Sequence, residues 1–278
     1  MRSSLAGRPS SSGIRRSATA AVPPPPARPA AGVLAPLAGI PQSGRVLGAL
    51  TAPITIFFFG DLQCSICRDF TLGAAFRRLV TDDLSSGRVK LEYDSLCTAS
   101  CAYGSEAAFD TQQAAAYAAG DQNRLWDYVL LFSAQQGVEG TRYVTPRYLT
   151  GLARQVPGLD LKRWRRDRGR RELLNQVRAD APAAAAAHIV ATPTLVVDGP
   201  QRHVTLVGTP SYRAITAAIA RVRRSAANPV ITDCIAHGRL THAYSRAQLD
   251  RALAVMPTAV RQYTNCVAVL TRARRHAR

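Results

Sequence analysis

The sequence predicts an α/β fold in which a block of helices is inserted between two halves of a sheet, with a small all-α module after it. Three observations predict it. The run ITIFFF, from Ile54 to Phe59, is short and almost wholly apolar, β-branched and then aromatic, which reads as a strand buried on both faces. From Cys67 onward Phe70, Leu72, Ala75, Phe76 and Leu79 recur at helical spacing, and RVKLEYDSL (Arg88–Leu96) then alternates as a second strand. Strand, helix and strand in that succession make a parallel unit with a right-handed crossover. After a long helical stretch, TLVVDG (Thr194–Gly199) and HVTLVG (His203–Gly208) are close enough to form a hairpin, and SYRAITAAIARVRR follows as an amphipathic helix.

Taken in order, residues 1–38 are Ser, Pro, Ala and Arg with little to bury, so they are expected to be irregular, partly polyproline II around Pro23–Pro26. A twin arginine, Arg15-Arg16, is followed by no apolar stretch of signal-peptide length, and no signal is assigned; a misplaced start codon or a processed precursor would explain this equally well. The domain spans residues 39–225. Its helical insertion, about residues 102–190, includes AFDTQQAAAYAAGDQNRLWDYVLLFSAQQG, TPRYLTGLARQVPG and WRRDRGRRELLNQVRADAPAAAAAHIV, with Thr145 as an N-cap and Pro146 at the first helical position. A linker at Ala226–Pro229 leads to residues 226–278, where YSRAQLDRAL opens on a Ser245…Gln248 capping box and PTAVRQYTNCVAVLTRA makes a second helix.

The formal charge of +18 sits mostly in three places: the N-terminal segment, the C-terminal module and LKRWRRDRGRR. With 34 Arg against 2 Lys and no RNP, zinc-finger or phosphate-loop motif, these read as solvated basic faces, and no specific nucleic acid is expected. The run from Ala52 to Phe59 is too short to cross a bilayer.

The chemistry lies in GDLQCSICRDF. A cysteine after a buried strand and at the mouth of a helix meets unpaired backbone N–H groups and the positive end of the helix dipole, which favour thiolate over thiol. Free thiols ionise near pH 8.5, and values of about 3.5–7.5 occur in such motifs. Cys64 is therefore the nucleophile, and Cys67, one turn deeper, is the resolving thiol. Cys64 is also expected to be the more exposed of the two. In ATPTLVVDG, Thr192-Pro193 lies directly ahead of a strand that comes up beside this motif. Two readings stand: a cis proline that leaves the Thr192 backbone to pair with an extended substrate, or an ordinary trans proline opening a strand.

On these residues the chain resembles the DsbA-like branch of the thioredoxin superfamily. GDLQCSICRDF matches its active-site segment, TPTLVVDG its cis-proline strand, and the helical block sits where that family inserts a helical domain. The resemblance covers roughly residues 39–225. It implies a thioredoxin-like fold, thiol–disulfide exchange with protein thiol or disulfide substrates, no bound cofactor or metal, and an extracytoplasmic setting; it admits a membrane redox partner. Two departures stand out. The position six residues before the first cysteine, often an acid in that family, is Phe58, and Asp61 is expected in an exposed loop. The intervening dipeptide is Ser65-Ile66, without an imidazole.

The other cysteines allow rival readings. Cys64, Cys67, Cys97 and Cys101 have an acceptable spacing for a four-thiolate zinc site. Alternatively the chain is a non-catalytic envelope binding module. Cys97 and Cys101 follow the second strand and read as a local disulfide or as a second redox pair; CTASC is expected to be irregular, since two cysteines so spaced do not meet in a regular helix. Cys234 and Cys266 bracket the last module and are expected to form a structural disulfide there. His188 ends an Ala-rich helix and His203 sits at a strand start, while His237, His242 and His276 lack mutual metal-ligand spacing; Trp126 and Trp164 read as packing residues.

Overall fold

The computed structural model describes residues 30–200, 202–223 and 228–277. The expectations for Arg15-Arg16, for Pro23–Pro26 and for linker residues 226–227 lie outside the described residues, while Asn228 and Pro229 of that linker are the N-cap and first residue of a helix. Residues 30–38, expected in the irregular segment, instead form helix α1 (Ala30–Leu34) and a 3-10 turn, Ala35–Leu37. Val33, Leu34 and Leu37 are buried in the core, and that burial offsets the entropy of ordering them. Two strands of two residues follow, β1 (Gln42–Ser43) and β2 (Val46–Leu47), turning at Gly44 with φ +57°.

Strand β3 (Ile54–Gly60) is buried along its whole length. It leads into α2 (Ser65–Thr71) and α3 (Ala74–Arg78), then a wider π-type turn, Leu79–Leu84, and β4 (Val89–Ser95). The expected helix from Cys67 is thus broken. The break falls at Gly73, where any Cβ would lie 2.7 Å from the Asp69 carbonyl oxygen. β3 and β4 are parallel, in register from Ile54 opposite Val89 to Gly60 opposite Ser95.

The helical block comprises α4 (Ala99–Tyr103), α5 (Glu106–Gly120), α6 (Leu125–Ala134), α7 (Pro146–Ala153), α8 (Leu161–Asp167) and α9 (Arg171–Ala186). The Thr145 hydroxyl caps α7 by accepting from the Tyr148 N–H. Trp126 and Trp164 are fully buried, each indole N–H donating to a backbone carbonyl, of Arg45 and of Ala115. The chain then returns through β5 (Thr194–Asp198) and β6 (His203–Val207), an antiparallel hairpin, to α10 (Tyr212–Arg223). Among the described residues the sheet runs β1-β2-β4-β3-β5-β6.

Alternation along β3 divides the core. Ile56 and Phe58 join the main cluster, while Phe57 and Phe59 pack with Ile189 and Val196 in a second cluster. Phe58 stacks against Phe70 and contacts Tyr93 and Trp126, with ring centroids 5.7, 5.8 and 6.0 Å away. A buried carboxylate at that position would displace this aromatic packing, worth about 0.5–1.5 kcal/mol per ring pair beyond area burial.

Among the described residues the last module holds four helices rather than two: α11 (Pro229–His237), α12 (Arg246–Ala254), α13 (Thr258–Tyr263) and α14 (Cys266–His276). The capping box at Ser245 and Gln248 is present. Val230, Ile231, Leu249, Met256 and Leu270 form a core of its own around a Cys234–Cys266 disulfide. The module docks on the sheet: Asp198 accepts from the Ala259 N–H at 3.1 Å, and the Tyr263 hydroxyl donates to Glu92 at 2.8 Å.

Candidate active site

The site begins where β3 ends. Gly60 admits no side chain, because a Cβ would meet the Phe58 ring at 2.5 Å. Asp61 follows, and it is 1% exposed rather than in an exposed loop. Backbone N–H groups of Gln63, Thr98 and Ser100 donate to its carboxylate at 3.0, 3.0 and 2.8 Å, and the Ser100 hydroxyl donates at 2.5 Å. Four donors make burial of that charge tolerable. The Asp61 carboxylate therefore ties the active-site segment to the loop carrying Cys97 and Cys101.

Cys64 is the N-cap of α2, with extended backbone, and its Sγ accepts from the Cys67 N–H at 3.3 Å. The Cys64 thiol donates to the Thr192 carbonyl oxygen at 3.5 Å. Cys64 and Cys67 are both free thiols and equally covered, at 5% exposure each, so the expected difference in exposure is not found. They differ in acidity. Hydrogen bonding from the Cys67 thiol, with help from Thr192 and the backbone N–H groups of Cys67 and Ile66, lowers the Cys64 pKa to about 6 against the opposing effect of burial. Burial, reinforced by the Cys64 side chain, pushes Cys67 well above the ordinary thiol value.

The Thr192–Pro193 bond is cis, and the Thr192 hydroxyl lies 2.5 Å from that of Thr98. Cys97 and Cys101 are joined in a disulfide with Cα atoms 5.6 Å apart. Contrary to expectation, part of CTASC is helical. Cys101 lies within α4 while Cys97 precedes the cap residue Thr98, whose non-helical backbone brings the two together. With those sulfurs bonded to each other, the four-thiolate zinc set is not assembled.

Sequence reading missed the connection between α6 and α7. Gln136 Nε2 donates to the carbonyl oxygens of Leu62 and Cys64 at 2.7 and 3.1 Å, and the Glu139 carboxylate accepts from the Ser65 N–H at 2.7 Å. QQGVEG has no motif that would mark it; its one signal is a glycine-flanked polar segment closing a helix. Gln63, Ala99, Tyr103, Thr141, Arg142 and Val144 line part of a cavity of about 370 Å³ beside this segment.

The acidity of Cys64 has a measurable consequence. Alkylation of the reduced protein at Cys64 should rise through a midpoint near pH 6 and level off above pH 7, while Cys67 stays slow throughout. Because the folded-state pKa is depressed, the stabilisation that ionised Cys64 gives the reduced protein is complete above the unfolded thiol value of about 8.5 and is lost as pH falls through about 6. An alkylation profile centred near pH 8.5 would contradict this geometry.

The fold and the paired thiols together define a class. The thioredoxin family matches residues 41–221, and the chain belongs to that family. Over 203 residues it is 31% identical to Na(+)/H(+) antiporter NhaA 1 of Salinispora arenicola, a match covering 70% of this chain but 28% of the antiporter, so the chain spans little more than a quarter of that relative. It is 22% identical over 154 residues to the probable disulfide bond formation protein D of Bacillus anthracis, covering 55% of this chain and 69% of that one. Among solved structures, oxidised BdbD from Bacillus subtilis superposes with a TM-score of 0.56 at 21% identity, covering 67% of this chain and 98% of BdbD. The shared fold is thioredoxin-like, and here the helical block lies between β4 and β5.

Proposed function

We propose that the chain is a thiol–disulfide oxidoreductase acting on protein substrates, with Cys64 as the attacking thiolate and Cys67 as the resolving thiol. The observation that carries this reading is the Cys64 sulfur at the head of α2, held by the Cys67 N–H and facing Thr192 beside a cis proline. The name of the Bacillus anthracis relative, a disulfide bond formation protein, supports it.

In the reducing direction the Cys64 thiolate attacks one sulfur of a substrate disulfide. A mixed disulfide forms and the other substrate sulfur leaves as thiolate. Cys67 then loses its proton and attacks Cys64 Sγ, releasing the second substrate thiolate and leaving Cys64–Cys67 oxidised. The oxidising direction reverses these steps. A Cys64 pKa near 6 stabilises the dithiol form at pH 7 by about one power of ten, or about 30 mV toward oxidation of substrate. The reading therefore favours an oxidase, re-oxidised by an external, membrane-bound redox partner. Thr192 and Pro193 would flank an extended substrate, and the exposed Ile66, Tyr103, Val138 and Val190 supply apolar contacts for an unfolded chain. Two disulfides fit an oxidising, extracytoplasmic setting. Among the described residues no helix is long and apolar enough to cross a membrane.

Cys97–Cys101 is proposed as a staple rather than a relay, since Thr98 and Ser100 within it are bonded to Asp61 and Thr192. Its short loop contributes about 2 kcal/mol in the chain-entropy model. The test is oxidation of a reduced, unfolded protein substrate by the oxidised chain under each candidate oxidant. Wild-type and Cys97→Ser/Cys101→Ser proteins should turn over at similar rates, the variant being less stable. Loss of turnover in that variant with stability restored would favour a relay.

A further inference from the structure

The charged and titratable groups around Cys64 are compensated, with one exception. Cys67 is the hydrogen-bond partner of Cys64, and Asp61 is met by four donors. Arg68, on α2, pairs with Asp69. Tyr143, on the same loop as Glu139, is held neutral by burial. Glu139 is different: half-buried, it accepts from the Ser65 N–H at 2.7 Å and forms no ion pair among the described residues. Its loop also grips Cys64 from the other side, through Gln136 and the carbonyl oxygens of Leu62 and Cys64.

We propose that Glu139 is a positioning residue for Cys64: its carboxylate fixes the first turn of α2 by the Ser65 N–H and sets a negative charge against the thiolate that forms one residue away. The inference rests on Cys64 being the attacking thiolate. A carboxylate that satisfies one of the unpaired N–H groups at the helix start stabilises the helix. The same charge opposes a second negative charge beside it. The helical insertion thereby does two things to the nucleophile, holding its backbone in place and restraining its acidity.

The experiment is a charge series at this position in the intact chain. Glu139→Gln keeps an acceptor for the Ser65 N–H and removes the charge, Glu139→Lys reverses it, and Glu139→Asp restores it. The first reading is ultraviolet absorbance of the Cys64 thiolate against pH in the reduced proteins, which needs no turnover. Glu139→Gln should raise the Cys64 ionisation constant about threefold, Glu139→Lys further, and Glu139→Asp should return toward wild type. The second reading is the equilibrium with glutathione at pH 7, which should move toward the dithiol by about the same factor, or about 14 mV. Wild-type ionisation in both the Gln and Lys proteins, or a shift toward a less acidic Cys64, would overturn the proposal. If the thiolate signal survives Cys64→Ser, the assignment of Cys64 as the nucleophile fails instead, and the two failures are told apart.

Discussion

Cys64→Ser protein will neither oxidise nor reduce a protein disulfide above the uncatalysed rate, whereas Cys67→Ser protein will accumulate a mixed disulfide with its substrate. The asymmetry comes from the two environments. With a pKa near 6, about 90% of Cys64 is thiolate at pH 7, against about 3% for an ordinary thiol. A serine hydroxyl at the same place gains no comparable ionisation and forms no sulfur–sulfur bond, so the first step is lost outright. Removing Cys67 leaves the attack intact but takes away the thiol that resolves it. It also exchanges the thiol whose hydrogen bond is the main cause of Cys64 acidity for a shorter hydroxyl donor. Non-reducing electrophoresis and peptide mass analysis read both outcomes. Full turnover by the Cys64→Ser protein would remove the basis for the site.

The second large effect is on stability. Cys234→Ser/Cys266→Ser protein should lose about 3–4 kcal/mol, the chain-entropy value for a loop of this length. For a chain of this size that is a fall in melting temperature of roughly 10 °C. The module has little else to hold it. Its core is a handful of side chains including Val230, Ile231, Leu249 and Leu270, drawn from four short helices. Small cores of this kind commonly depend on a covalent staple. Loosening it should also free the contacts of Ala259 with Asp198 and of Tyr263 with Glu92, exposing the sheet face that carries Phe57 and Phe59. Hydrogen exchange should rise in α11–α14 and along β5 before it rises in β4. An unchanged melting temperature would mean that docking on the sheet, not the disulfide, holds the module.

What the sequence made legible follows from how far each signal reaches along the chain. ITIFFF announces a buried strand because every residue in it faces the core, and β3 is buried throughout. The cysteine pair and Thr192-Pro193 are likewise short-range signals whose meaning depends on one or two neighbours. Asp61 looks exposed from its sequence neighbours alone, because its burial depends on donors at Thr98 and Ser100, 37 and 39 residues away. Gln136 and Glu139 reach the site across 72 and 74 residues, and no local pattern marks such contacts. β1 and β2 are two residues each, too short for alternation to register. The split at Gly73 is a packing effect of one backbone carbonyl, invisible to helical periodicity.

The most direct test of the central claim is a redox titration of the protein in glutathione buffers across pH, scored by mass after thiol trapping. Cys64 and Cys67 should interconvert together in one two-electron transition while Cys97–Cys101 and Cys234–Cys266 stay bonded. The midpoint potential should fall by about 59 mV per pH unit below about pH 6 and by about 30 mV per unit above it, because one proton fewer is taken up once Cys64 is ionised. A pair that stays reduced at every buffer ratio, or a slope that does not bend until pH 8 or higher, would contradict a thiolate-forming exchange centre at Cys64.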